Sequence, residues 1–357
     1  MPVARGASLA GLRISDCYTA RVNDADSIVR VAEELAESLL FPAALDTDAA
    51  DLVPLRNLDA LAEAGLYGVL GPLEFGGLAA GLPAFCSVVE ALAGGCLTTT
   101  FVWIQHNTPV RTLAASRNAA LKQEWLPELC AGRKRAGIAF GGLRTGPSQI
   151  AARPVEGGWL LDGEVPLVSG WGRIDVLLVN GRTEDDARVV SALVPAVLSD
   201  AFSVQPLHLL AANASGTVRA RLRGVFVPAE RVVNVEPYRP PSPYDGGGRP
   251  NGSLSLGVAR RCCSLIGPGA LDDELAARRQ QLDEASDETM AEARAAACEL
   301  ALRAAGALVV AQGSSSLFPA SHAQRLLREA VFLQVFGSRP AIREALLRSL
   351  GAAPSPP

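Results

Sequence analysis

From Arg135 to Val235 the chain is built of short β-branched runs, "AGIAFGGL", "GGWLLDGEVPLVSGW", "DVLLVNGR", "RVVSALVPA" and "GTVRARLRGVFVP", parted by Gly, Asp and Asn. On both sides of this stretch apolar residues recur at helical spacing instead. This change of period limits the fold more than any other feature, because a period of 2 lines one face of a strand and a period of 3.6 one face of a helix. Upstream, "ADSIVRVAEELAESLL" puts Ile28, Val31, Leu35 and Leu39 on one helical face before Pro42 breaks it. "VPLRNLDALAEAGLYG" repeats the pattern with Leu55, Leu58, Leu61 and Leu66 and stops at Gly68. Residues 82–96, 98–117 and the segment "AALKQEWLPELCAGRKRA" give three further helices. Downstream, the Pro/Gly-rich "EPYRPPSPYDGGGRPNG" at 236–252 marks a boundary. "LSLGVARRCCSLI" is then a helix ended by "GPG", and a long helical pattern parted near Ser286 follows. Helices over 321–336 and 339–350 lead to the tail "GAAPSPP". The expectation is an α+β protein: a helical domain over 1–134, a small barrel-like β domain over 135–235, and a helical bundle over 236–357 ending in a disordered tail.

Only 5% of residues are aromatic against 49% hydrophobic, so the core must rest on Leu, Val and Ala, in closely packed helices. The net charge of −4 and pI near 5.6 give no electrostatic reason to expect nucleic acid or an anionic membrane surface as partner. No uninterrupted apolar run approaches the roughly 18 residues of a membrane span, and the greasiest, "AGALVVA" at 305–311, is far shorter. The N-terminal "MPVARGASLAGLRISDCYTARVND" lacks the apolar region of a signal peptide. Seven cysteines show no CxxC spacing, and Cys262 and Cys263 fall in an apolar-periodic stretch. That pattern reads as core thiols in a reduced, cytoplasmic protein, without a disulfide framework or metal site.

Several local motifs give the helix–strand–helix order a family likeness. "LAEAGLYGVLGPLEFGGL", "EWLPELCAGRKRAGIAF", "GGWLLDGEVPLVSGWGRIDVLLV", "GVFVPAERVV", "GRPNGSLSLGVARR" and "HAQRLLREAVFLQVFGS" occur in the order of similar passages in the acyl-CoA dehydrogenase superfamily. The chain resembles that superfamily over about residues 25–350. The resemblance implies a flavin, FAD with FMN as the alternative, lying between the β domain and the C-terminal bundle. It implies an acyl thioester, such as acyl-CoA, or a related small molecule on the other face. Flavin contacts are then expected at Phe140 and Gly141 in "AFGGL" and at Val168, Ser169 and Trp171 in "LVSGW". In relatives a Thr or Ser at the place of Ser169 hydrogen-bonds near flavin N5, and a Trp two residues earlier covers the ring; here that residue is Leu167. Substrate contacts are expected at Thr99, Trp103 and Arg249, with Thr100 nearby. His106, on the helix that lines the substrate pocket in relatives, is the candidate catalytic residue, against the bland alternative of a buried or capping histidine. His208 reads as a loop residue and His322 as one at a helix start.

The chain also departs from the family. Proton abstraction beside a thioester carbonyl needs a carboxylate over the α-carbon, and both positions at which the family keeps that glutamate are glycine here, Gly337 and Gly248. Glu329 and Glu344 read as solvated helix charges. Gly141 and Gly142 stand where a Thr-Glu pair is usual, with Thr145 and Ser148 as substitutes for the lost hydroxyls. The helices after Val258 are short of the family norm and lack its diphosphate-binding passage. Arg260, Arg261, Arg278 and Arg279 are the nearby cations. Flavin monooxygenases of the same superfamily need no such glutamate but often carry a His near Leu333 or Phe336. Three readings follow: a flavin-dependent oxidoreductase with a non-standard base, a flavin monooxygenase served by a separate reductase, or a catalytically silent subunit paired with a glutamate-bearing paralogue. Homo-oligomerisation or pairing with that paralogous subunit is expected in each.

Overall fold

The computed structural model describes residues 25–143, 146–240 and 248–352. Helix α1 (Ala25–Leu35) continues through one wide turn, Ala36–Leu40, whose hydrogen bonds skip five residues. Such a turn inserts one residue into the helical period. Ile28, Val31 and Leu35 therefore take the core seats expected of them, but Leu40 rather than Leu39 takes the fourth. Short α2 (Ala44–Ala49) and α3 (Leu55–Glu63) follow. On the latter, Leu58 and Leu61 are buried while Leu55, next to the starting Pro54, is exposed. Helices α4 (Gly81–Gly95), α5 (Leu97–Ala114) and α6 (Ala119–Cys130) complete the first helical layer. Asn118 caps α6 by accepting the Leu121 N–H at 3.1 Å.

Eight strands come next: β1 (Ala136–Phe140), β2 (Ile150–Val155), β3 (Gly158–Val168), β4 (Val176–Thr183), β5 (Arg188–Pro195), β6 (Phe202–Pro206), β7 (Val218–Pro228) and β8 (Val232–Pro237). They form one sheet in the order β6-β7-β3-β2-β4-β5-β8, with β1 parallel to β4. One face, with Val179, Val190, Leu161 and Ala220, closes on itself as the inner core. The other, with Val176, Leu178, Leu193 and Val233, packs under α5 and α6.

The chain returns as α7 (Gly248–Ile266), α8 (Ala270–Asp283), α9 (Met290–Gln312), α10 (His322–Val335) and α11 (Pro340–Ser349). The parting near Ser286 is present between α8 and α9. The fold is α+β: helices, a central sheet, then a helical bundle. Central α9 is long and apolar enough to cross a membrane by length and composition. No uninterrupted apolar run revealed it, because Glu292, Arg294, Glu299 and Arg303 punctuate the sequence. Its alanines, Ala293, Ala297, Ala301 and Ala304, are buried in the bundle.

Glu329 corrects one expectation. It is not a solvated charge but is buried on α10, where Arg325 Nη1 donates to it at 2.6 Å and both side chains are almost fully covered. The four-residue spacing puts both on the helix face that packs inward. Close backbone approach matters most where α7 crosses α4. A Cβ on Gly257 would stand 2.4 Å from the Glu90 carbonyl oxygen and 2.7 Å from the Ala93 Cβ. Replacing Gly257 by Ala should lower stability by about 1–3 kcal/mol, the usual cost of overpacking a close contact, seen as a lower denaturant midpoint. An unchanged midpoint would show that the two helices can part freely.

Candidate functional site

The ends of β1 and β3 meet beside α5. On β1, half-buried Ile138 and Phe140 alternate with buried Ala139, so the two larger residues face the helices. On β3, Leu167 is 58% exposed and Val168 turns into the inner core. Ser169, two residues beyond Leu167, is half-buried. A Cβ on Gly137 would lie 3.4 Å from the Ser169 carbonyl, which fixes the two ends side by side.

The Ser169 turn is zipped to the segment before β7. Gly170 N donates to the Ser215 carbonyl at 2.8 Å, and Trp171 N to that of Gly216 at 3.2 Å. The side chains continue the link: Ser169 Oγ lies 2.8 Å from Thr217 Oγ1, which lies 2.7 Å from Ser215 Oγ. Trp171 packs edge-on against Phe202 at 5.6 Å, on the sheet side. A Cβ on Gly170 would meet Val102 of α5 at 3.6 Å. Next to Val102, Phe101 makes edge contacts with Phe332 at 5.2 Å and Phe336 at 4.9 Å. The last two rings stack at 5.4 Å.

The turn between α10 and α11 follows directly, with Gly337 at φ +60°. Gly248, at the start of α7, has φ +37°. Both lie in the left-handed region that L side chains rarely adopt. Behind the Gly337 turn, fully buried Arg294 reaches the Phe336 carbonyl through Nη2 at 3.5 Å.

Three residues of strand, about 10 Å, lead from Gly137 to Phe140. There a cavity of about 580 Å³ opens between α5 and the outer sheet face, lined by Thr108, Thr112, Phe140, Leu143, Asn180 and Ser191 among others. Asn180 Nδ2 donates to Ser191 Oγ at 2.5 Å, which leaves Asn180 Oδ1 buried without a partner. A buried acceptor left unpaired is costly, so it marks a place for a donor. The cavity is of small-molecule size.

The remaining expected site residues stand elsewhere. Thr99, Trp103 and His106 form one stripe of α5 that faces the helical core. Thr99 Oγ1 accepts from Asn57 Nδ2 at 3.1 Å, and Trp103 Nε1 donates to the Leu66 carbonyl at 3.2 Å. His106 has both ring nitrogens bound to main chain: Nε2 to the Leu129 carbonyl at 3.1 Å, and Nδ1 accepting from Ala136 N at 3.0 Å. It is fully buried, and burial pushes its pKa down to about 3. The geometry gives it the bland role, that of a fastener. Arg249 is bound by Asp283 and Ser253, both at 2.6 Å. His208 is exposed, and His322 stacks on Phe41 at 4.3 Å.

The "AFGGL" glycines have a packing reason. A Cβ on Gly141 would meet Ile150 at 2.4 Å, and one on Gly142 would meet the Gly181 backbone at 2.8 Å. Ser148 turns its hydroxyl back to the Ile150 carbonyl at 2.6 Å, so it does not replace a lost ligand contact. Thr145 lies outside the described residues. Arg260, Arg261, Arg278 and Arg279 each form an ion pair, with Glu33, Glu37, Glu274 and Glu90 respectively. Phe101, Phe332, Asn180, Ser215 and Thr217 were not singled out from sequence. The only signal for the hydroxyls was "ASGT", which reads as an ordinary turn.

Residues 23–133 match the family model "Acyl-CoA dehydrogenase, N-terminal domain". Among curated relatives, an Arabidopsis thaliana mitochondrial isovaleryl-CoA dehydrogenase is 23% identical over 184 residues, 49% of this chain and 45% of the relative. The oxygenase component of p-hydroxyphenylacetate 3-hydroxylase from Acinetobacter baumannii is 25% identical over 228 residues, 58% of this chain and 51% of the relative. The chain thus matches about half the length of each. The solved butyryl-CoA dehydrogenase of Megasphaera elsdenii superposes with a TM-score of 0.74 at 16% identity, covering 97% of this chain and 99% of that one.

The His106 contacts predict a pH dependence. An imidazolium cannot accept the Ala136 N–H, so only the neutral ring fits the fold. Its folded pKa, about 3, lies below the ordinary 6.5. The stability it supplies is therefore complete above pH 6.5 and lost as pH falls from there toward 3. The expected contribution is about 1.4 kcal/mol per pH unit across that window. His106→Gln should be less stable at pH 7 and shallower in its acid dependence. Parallel pH–stability curves for the two proteins would refute this.

Proposed function

Starting from a chain with the acyl-CoA dehydrogenase fold and that family's N-terminal domain over residues 23–133, we propose a flavin-dependent oxidoreductase that works without a carboxylate base. The observation that carries this reading is the crevice at the Ser169 turn. It sets exposed apolar Leu167 beside the Ser169 hydroxyl, and the cavity at the other end of β1, about 10 Å away, adds the buried orphan acceptor Asn180 Oδ1. A flavin ring is flat and apolar with polar groups along its edges, and these residues fit it. Ser169 would meet an edge acceptor, Asn180 an edge N–H, and Leu167 and Phe140 the apolar faces. When bound, the flavin supplies the electron transfer; the chain's residues hold and shield it.

The phosphate end is served differently. The four arginines that sequence offered for a diphosphate are all paired with carboxylates, so FMN asks less of this surface than FAD does. Beside the Gly337 turn, at the position of the family's glutamate, stand the rings of Phe336, Phe332 and Phe101. That wall favours the flavin monooxygenase form of the reading, with a separate reductase, over removal of an α-proton from acyl-CoA. The substrate is then a small, largely apolar molecule, with an acyl thioester as the competing class. Exposed Val310, Leu317, Phe318 and Val335 on and beside the C-terminal helices support self-association or pairing with a paralogous subunit.

The protein, purified or reconstituted with FMN or FAD, should be yellow. Once reduced by an external reductase it should reoxidise rapidly in O₂, and it should resist bleaching by acyl-CoA in the absence of O₂. Rapid anaerobic bleaching by acyl-CoA would replace the monooxygenase form with a dehydrogenase. Protein that takes up neither flavin would sink the whole class and leave the silent-subunit reading.

A further inference from the structure

The three hydroxyls at the Ser169 turn are joined in series, and burial sets the direction of their protons. Ser215 is completely buried and Thr217 is 3% exposed, whereas Ser169 is half-buried at the crevice. Among the described residues, Ser215 Oγ has Thr217 Oγ1 as its one side-chain partner, at 2.7 Å, and Thr217 Oγ1 has Ser169 as its other, at 2.8 Å. A hydroxyl carries one donor and can also accept, so the series has two polarities. If Ser215 donates to Thr217 and Thr217 to Ser169, every buried proton is bonded and Ser169 is free to donate outward. If the series runs the other way, Ser169 donates inward and the Ser215 proton points into the protein interior with no acceptor. A buried donor without a partner is unfavourable, so the first polarity prevails.

From this we infer that buried Thr217 is a positioning residue that fixes Ser169 as a hydrogen-bond donor and makes the crevice select a ligand edge that accepts, with Ser215 filling the acceptor side of Thr217. This rests on the flavin reading above and deepens it. The central ring nitrogen of an oxidised flavin is an acceptor, and in the reduced form the same atom carries a proton and donates. A crevice locked as donor therefore prefers the oxidised ring and lowers the reduction potential of the bound cofactor. The main-chain zip at Gly170 and Trp171 keeps the turn in place whatever the hydroxyls do, so polarity can be altered without moving it.

The test measures the dissociation constants of oxidised and dithionite-reduced FMN, under anaerobic conditions, for wild type and three variants. Thr217→Val cuts the series and frees the Ser169 hydroxyl to turn. The ratio of reduced to oxidised dissociation constants should fall about tenfold, the scale of one buried hydrogen bond left unmade. Thr217→Ser restores the hydroxyl and should return the wild-type ratio. Ser215→Ala should also keep that ratio, because the stranded proton of the reversed series then falls on Thr217 instead. A general loosening of the turn would move Thr217→Val and Ser215→Ala alike, and that result overturns the inference. So does an unchanged ratio in Thr217→Val with flavin still bound. If wild type binds neither redox form, the flavin reading fails first and this inference with it.

Discussion

One imidazole fastens the helical layer to the sheet. His106 accepts from the first N–H of β1 and donates to the carbonyl at the end of α6, so a single side chain of α5 joins three elements. Because the contact uses main chain at both ends, it fixes position and not merely proximity. It sets β1, which borders the candidate site, against α5. With β1 set against α5, the Ser169 turn comes to rest on Val102, Phe140 reaches the cavity, and the outer sheet face lies under Thr108 and Thr112. A neutral, doubly bonded histidine in a dry interior is well suited to this and poorly suited to moving protons.

Helix α5 shows how the sequence could place the site on the right element and the wrong face. Thr99, Trp103 and His106 are spaced i, i+4, i+7 and mix polar with aromatic groups, which looks like a pocket wall. The same spacing is that of a core stripe, and each polar atom on it is spent on a neighbour inside the protein. The stripe that faces the crevice and cavity is Phe101, Thr108 and Thr112, spaced i, i+7, i+11. Periodicity gives the two stripes but not their directions; only the position of the sheet decides between them.

Element types and order were legible because they depend on local pattern. The short β-branched runs of β1 to β8 and the apolar stripes of α1 and α3 follow from chain geometry that any short segment carries. What was not legible depended on register or on distant partners. Leu40 displaced Leu39 because one wide turn added a residue. Glu329 looked solvated because its partner Arg325 and the helices covering both cannot be seen one turn at a time. The Ser169, Thr217 and Ser215 series joins the end of β3 to a turn nearly fifty residues later, a link only the sheet register creates.

Three glycines then shape the backbone around the site. Gly141 and Gly142 let the β1 turn close onto β2 and β4, and Gly337 lets the α10–α11 turn take a left-handed residue ahead of a wall of phenyl rings. At Gly141 and Gly142 the space of a Cβ is taken by Ile150 and by the Gly181 backbone, whereas at Gly337 it is the left-handed backbone that calls for glycine. Two of the polar groups at the site are neutral, a hydroxyl whose direction is set from behind and a carboxamide with one free oxygen, while Glu236 and Arg239 line the cavity beside that carboxamide. Such a surface can orient a ligand and exclude water.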